Sequence, residues 1–182
     1  MDWVRDFDEA VLRAINQGLH CGFCDFAFWV FSSLGIGFVQ LLLSLPMAFF
    51  SSLRRVWLLV FVSWAVSGGL VQAVKAVSPR LRPTNDPATI VTPGELLFKS
   101  SFPSGHTATS FAIAFALFLA WPGEKRRMIG VSALVVAVLV GVSRVYRGVH
   151  WPTDVIGGML LGCGTAFLVA FVFETVLRRS AK

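Results

Sequence analysis

"KSSFPSGHTATSFAIAFALFLAW", residues 99–121, sets a polar knot at the mouth of an apolar run that extends from about Ser104 to Trp121. A hydrocarbon core of about 30 Å, crossed at about 1.5 Å per residue, asks for about 20 such residues. Three more runs have this character, at 56–77, 128–146 and 154–177. The stretch from Phe23 to Phe50 is longer, and Gly35 and Gly37 break it near its middle, so it reads as a first helix or pair of helices. The expected architecture is all-α: an integral membrane bundle of five or six transmembrane helices, forming a single domain over 1–182.

Composition agrees with that reading. Hydrophobic residues make up 55% of the chain and charged residues 14%, against roughly a quarter charged in soluble domains. The mean hydropathy of +0.72 exceeds what a soluble core of this length buries. The first residues differ from the rest. Asp2, Arg5, Asp6, Asp8, Glu9 and Arg13 stand in place of a basic start and an apolar block, so no cleavable signal is expected in this stretch. Trp3, Phe7, Val11, Ala14 and Ile15 recur at helical spacing instead, which predicts an amphipathic helix over 1–20, flat at the interface with its charges solvated. Cys21 and Cys24 form a lone C-x-x-C without redox context and, like Cys163, read as apolar filling.

The net charge of +6 is accounted for by clusters flanking the spans, so no nucleic-acid partner is expected. Arg54 and Arg55, Lys125 to Arg127, and Arg178, Arg179 and Lys182 fall on one face of the membrane, which the positive-inside rule makes cytoplasmic. A second set lies at the opposite face: Lys75, Arg80, Arg82, Lys99, Arg144 and Arg147. One such residue would be explained by snorkelling. A convergent group served by few acids (Asp86, Glu95 and Asp154) calls for an anion from outside the chain.

Three polar stretches meet at that face: "KAVSPRLRP" (75–83), "PSGH" (103–106) and "SRVYRGVHWPTD" (143–154). Pro103 suits a first helical turn, so the helix is expected to begin near Ser104 and to leave the N–H groups of Ser104, Gly105 and His106 free for a phosphate. The bland reading of Ser104 is an N-cap, whereas His106 at the start of a span has no comparable structural reason. Pro152 likewise starts the last span, with Asp154 in its first turn and His150 just before it. An Asp bonded to one imidazole nitrogen leaves the other as a nucleophile. Two histidines, at least three cations and a helix N-terminus describe phosphoryl transfer through a phosphohistidine. His150 attacks, Lys75, Arg82 and Arg144 hold the equatorial oxygens, and His106 protonates the leaving oxygen. No set of carboxylates for magnesium or of Cys and His for zinc is present in these stretches, so neither metal nor cofactor is expected.

Lys75 with six residues to Arg82-Pro83, then Pro103-Ser104-Gly105-His106, then Ser143-Arg144 with five residues to His150 and three more to Asp154, resembles the tripartite signature of the type 2 phosphatidic acid phosphatase superfamily. The helical layout is similar to its compact bacterial members. The resemblance implies a metal-independent lipid phosphatase of the bacterial cytoplasmic (inner) membrane. Its phosphate pocket would be formed by Lys75, Arg82, Ser104, Gly105 and Arg144, with His150 as nucleophile, His106 as acid and Asp154 as partner of His150. It also implies a membrane-lipid substrate and an extracytoplasmic site. Family members act on phosphatidylglycerol phosphate, undecaprenyl diphosphate, phosphatidic acid or lipid A, and some transfer phosphate to another lipid. A lipid phosphotransferase and a non-catalytic transporter or binder of anionic lipids are the alternatives. The proline-rich extracytoplasmic loop 78–103 is expected to roof the pocket and shape the headgroup entrance.

Overall fold

The computed structural model describes residues 2–85 and 100–180. Among these the chain is helical, with no strand: α1 (Asp2–Asn16), α2 (Gly22–Leu34), α3 (Gly37–Ser44), α4 (Arg54–Val77), α5 (Gly105–Ala120), α6 (Arg126–Tyr146) and α7 (Pro152–Ser180). Short 3₁₀ turns follow α3 at Leu45–Phe49 and precede the site at Pro83–Asn85. Most of the loop expected to roof the pocket, residues 86–99, lies outside the described residues.

The helix ends follow local chemistry. Pro79 keeps Ser78 out of the helical region and closes α4, and Pro122 does the same at Trp121 after α5. Gly148, at φ +65°, turns the chain out of α6 and donates its N–H to the Val145 carbonyl. Pro152 opens α7 at the position where its missing N–H is harmless. Pro103 behaves differently from its expected place in a first turn. It follows a cis peptide bond and lies outside the helix, and Ser104, in an extended conformation (φ −70°, ψ 114°), is the N-cap of an α5 that starts at Gly105.

α5 is the centre of the bundle, packed by α4, α6 and α7. At the end away from the polar knot, Val56, Leu59 and Val60 of α4 meet Ala116 of α5 and Ala166 of α7. Phe111 and Ala114 meet Ala137 of α6, with Met159 and Cys163 packed beside them. α7 reaches α5 closely because Gly162 has no side chain: a Cβ there would sit 2.2 Å from the Ala108 carbonyl oxygen. α3 is tied in by Gln40, which donates to Ser110 Oγ (2.8 Å) and accepts from Trp64 Nε1 (3.1 Å). The outward face of α7 exposes Leu160, Phe167 and Phe171, apolar surface that a bilayer covers.

Three helices, α4, α6 and α7, are long and apolar enough on their own to cross a membrane. The pair α2 and α3, extended by its 3₁₀ turn, is bent by 69° at the glycine break and counts as one further broken or re-entrant span. α5, at 16 residues, is an apolar helix shorter than a full crossing. The expected five or six apolar passages therefore resolve into three full helices, one elbow and one short central helix.

Two expectations about the N-terminal region are corrected. In α1 the stripe containing Trp3 and Phe7 is exposed, as an interfacial helix requires, but the opposite face is not simply solvated: Asp8, Leu12 and Asn16 are buried against α6 and α7. Asn16 donates to the Tyr146 carbonyl (2.6 Å), and Asp8 finds partners at the start of α7. Cys21 is exposed rather than filling a core, and its sulfur caps α2 by accepting from the Cys24 N–H (3.2 Å).

Candidate active site

The end of α4, the start of α5, the end of α6 and the start of α7 share one end of the bundle, so residues far apart in sequence meet there. Lys75, in the last turn of α4, donates to the Ser100 carbonyl (2.7 Å). Arg82 donates to the same carbonyl (3.2 Å) and to the Val149 carbonyl (2.8 Å). Arg144, in the last turn of α6 and buried, donates to Ser32 Oγ on α2. In these contacts the three cations donate to carbonyl and hydroxyl oxygens.

His150 lies in the link between α6 and α7 and is buried. Its Nε2 is 3.2 Å from Arg82 Nη1, and its Nδ1 is 3.4 Å from Asp154 Oδ2. A guanidinium donates and never accepts, so Nε2 carries the lone pair and Nδ1 the proton. The Nε2 lone pair therefore points toward the Arg82 guanidinium. Burial holds the imidazole down at about 4, Asp154 opposes that by hydrogen bond and charge, and Arg82 and Arg144 add to the depression.

Asp154, fully buried in the first turn of α7, is anchored by more than the histidine. Oδ2 accepts from the Trp151 N–H (2.9 Å), the reach-back of a capping box, and from Ser101 Oγ; Oδ1 accepts from Arg80 Nη1 (2.7 Å). Its carbonyl also accepts the Ser104 N–H at 3.0 Å. That contact corrects the expected phosphate cradle: the Ser104 N–H is spent on α7, and the helix N–H groups without an intrahelical acceptor are those of the residues after it, starting with Gly105 and His106. Ser104 Oγ, buried, accepts from Thr107 Oγ1 (2.9 Å) and keeps its own O–H as a donor. Gly105 is not demanded by packing, since a Cβ would meet only Val71 Cγ1, at 3.4 Å.

His106 is half-buried and faces the elbow between α2 and α3. Gly35 makes room for it: a Cβ on Gly35 would come 2.8 Å from His106 Cδ2. A cavity of about 500 Å³ opens beside the imidazole, lined by Gly35, Trp64, Gly68, Val71 and Gln72. The site thus has a polar compartment on the His150 side of the α5 N-terminus and an apolar one on the His106 side.

All eight residues expected from sequence lie at this end of the bundle. Sequence reasoning did not single out Ser32, Ser100, Ser101 or Asp8, and it noted Arg80 only as one of six cations. Their partners lie far away in sequence, so no local pattern marks them, although Asp8, Leu12 and Asn16 do share one helical face. Among the described residues no three His, Cys, Asp or Glu side chains converge as metal ligands.

Comparison with known proteins gives this geometry a relationship. The undecaprenyl-diphosphatase of Sulfolobus acidocaldarius is 33% identical over 146 residues, spanning 79% of this chain and 68% of that protein. Phosphatidylglycerophosphatase B of Bacillus subtilis is 36% identical over 135 residues, 69% of this chain and 63% of that protein. The crystal structure of a transmembrane PAP2 type phosphatidylglycerolphosphate phosphatase from Bacillus subtilis superposes with a TM-score of 0.80 at 31% identity, covering 97% of this chain and 89% of that one. The model of the PAP2 superfamily matches residues 56–178, from the first turn of α4 to the end of α7 and across every residue of the polar cluster from Lys75 to Asp154, so this chain belongs to the PAP2 superfamily.

Proposed function

We propose that the protein is a membrane lipid phosphatase working through a phosphohistidine, with His150 as nucleophile, Asp154 as its partner and His106 as acid. The observation that carries this reading is the His150 tautomer, with a lone pair on Nε2 directed at Arg82 beside two further cations. A binder or transporter of anionic lipids gains nothing from an oriented neutral imidazole there. In the first step Nε2 bonds to phosphorus as the P–O bond to the lipid breaks, and His106 gives its proton to the departing oxygen. Lys75, Arg82, Arg144, the Ser104 hydroxyl and the Gly105 N–H surround the transferring phosphoryl group. Water then attacks phosphorus, His106 takes its proton, and the phosphate leaves with the Nε2 lone pair restored.

The lipid body fits the apolar cavity beside His106, which puts the leaving oxygen next to that imidazole. The substrate is a phosphorylated membrane lipid, and the names of the relatives make phosphatidylglycerol phosphate and undecaprenyl diphosphate the first candidates. Arg54, Arg55 and the Lys125–Arg127 cluster lie at the end of the bundle opposite the site, so the positive-inside rule turns the site to the outer face of the cytoplasmic membrane.

The deciding experiment is phosphate release by purified protein in detergent from phosphatidylglycerol phosphate, undecaprenyl diphosphate, phosphatidic acid and lipid A. Release without added acceptor lipid separates hydrolysis from phosphotransfer. Activity should survive EDTA and be inhibited by vanadate, whose trigonal bipyramidal form mimics the transition state. Activity lost in EDTA and restored by magnesium would show a different enzyme.

A pH dependence follows from His150. The neutral imidazole is the reactive form and its protonation falls at about pH 4. kcat/KM should therefore stay level, as far as this group is concerned, from pH 7 down to about 5, and drop tenfold per pH unit below about 4. An acid limb near the ordinary imidazole value would contradict the buried, cation-flanked setting.

A further inference from the structure

Two charged residues at the site have no place in the mechanism above. Asp8 is 1% exposed, on a helix where Arg5, Asp6 and Arg13 are exposed. A carboxylate in such a place needs partners, and all of those found are at the start of α7 or on Arg80. Oδ1 accepts the Thr153 N–H (2.9 Å), while Oδ2 accepts from Thr153 Oγ1 (2.7 Å) and from Arg80 Nη2 (2.5 Å). The other terminal nitrogen of Arg80 donates to Asp154 Oδ1 (2.7 Å) and to Thr153 Oγ1 (2.8 Å), and its guanidinium lies over the Trp151 ring at 5.8 Å. The planar fork of arginine is matched on both sides by a buried carboxylate, a fit that lysine cannot reproduce.

We propose that Asp8 and Arg80 are positioning residues for the reaction: the α1 carboxylate holds the Arg80 guanidinium on the outer oxygen of Asp154, and so fixes the inner oxygen against His150. This rests on His150 being the nucleophile. The N-terminal helix is then part of the active site and not only an anchor at the membrane surface. The chain of contacts runs α1, segment 78–82, α7 and the α6–α7 link, so a displacement of α1 is felt at the imidazole.

The charges around His150 give the relay a signature that mere structural support lacks. The charged and titratable groups acting on the imidazole are Asp154 from α7, Arg82 from the segment after α4, Arg144 from α6 and His106 from α5; Arg147, just after α6, acts on His106, and Arg80 acts on Asp154. Lys75 is linked through the Ser100 carbonyl it shares with Arg82, and Asp8 acts from α1 through Arg80. Removing Arg80 leaves Asp154 with more negative charge for the imidazolium and moves the acid limb of kcat/KM to higher pH. Removing Asp8 leaves the guanidinium to act on Asp154 alone and moves the limb to lower pH.

The test measures phosphate release, on whichever panel lipid the wild-type protein hydrolyses fastest, for Asp8→Asn, Asp8→Ala, Arg80→Lys, Arg80→Ala and the double alanine variant. His150→Ala serves as the control for the underlying reading: if it stays active, that reading fails whatever the others do. The expected result is a loss of about 10- to 100-fold in kcat for each alanine variant, with KM within threefold and the double variant no worse than the worse single. The acid limbs should move in opposite directions, and Arg80→Lys should not restore kcat. Asp8→Asn keeps the size of the side chain and an acceptor for Thr153, so it reports on the charge if Asp8→Ala does not fold. Variants that elute and melt as wild type with kcat within twofold of it, or acid limbs that shift together, would overturn the proposal.

Discussion

Replacing His150 with alanine should lower phosphate release by about 10⁴-fold or more while the protein remains folded. The size follows from what is removed. With no imidazole the phosphoryl group has no acceptor on the protein, and the cations are left to assist direct attack by water that nothing positions. The folding expectation has its own basis. Asp154 loses a partner at 3.4 Å but keeps Arg80, Ser101 and the Trp151 N–H, so the substitution does not orphan a buried carboxylate. Lys75, Arg82 and Arg144 are also left in place, so competition by inorganic phosphate should persist in the inactive variant. Protein incubated with lipid labelled at the phosphate and quenched in alkaline detergent, where the P–N bond of a phosphohistidine survives, should carry label in the wild type and none in His150→Ala. A variant that still turns over at a tenth of the wild-type rate would rule out the covalent route, and one that no longer binds phosphate would show that the imidazole serves binding.

The placement of the two histidines and their neighbours is legible in the sequence because it is set by short-range rules. Pro152 starts a helix, the first turn of that helix carries Asp154, and His150 is four residues earlier, so the pair meets whatever the rest of the bundle does. The same holds for Ser104, Gly105 and His106 at the head of α5. What sequence could not supply are pairings made across the bundle. Ser32 and Arg144 are on helices whose approach depends on the elbow at Gly35, and Ser101 meets Asp154 only because α5 and α7 are in register. Asp8 was misread for a related reason. On an amphipathic helix a charge is ordinarily solvated, and only the arrival of Arg80 and the N-terminus of α7 turns that position inward. The start of α5 shifted by one residue because Ser104 is drawn out of the helix to donate its N–H to the Asp154 carbonyl. The bundle was legible as apolar runs, but the contribution of the 23–50 stretch depends on a bend that composition does not set, and Gly35 and Gly37 mark only where it occurs.

Replacing His106 with alanine should have an effect that depends on the leaving group, and the pattern should identify both its role and the class of substrate. A general acid contributes about 10²- to 10⁴-fold where the departing oxygen is strongly basic. Phosphatidic acid and phosphatidylglycerol phosphate release an alcohol, so their hydrolysis should fall by about 10³-fold in His106→Ala. Undecaprenyl diphosphate releases a lipid monophosphate, a far weaker base, and its hydrolysis should fall much less. Nitrophenyl phosphate, whose phenolate leaves without help, should be nearly unaffected in its first step. The position of the imidazole makes this graded loss the expected one: His106 lines the apolar cavity and at the same time lies within reach of the charges of Arg144, Arg82 and His150, between the proposed place of the lipid and that of the phosphoryl group. If the phosphoenzyme accumulates with nitrophenyl phosphate, the same variant should show a burst followed by a slow phase, because His106 also serves as the base for water in the second step. A uniform loss across all leaving groups would move His106 from proton transfer to phosphate binding. A loss confined to the diphosphate would reverse the assignment of the two compartments. With the graded result in hand, the ratio of wild-type rates on monoester and diphosphate lipids reports specificity directly, because neither class is then limited by the other's need for a proton.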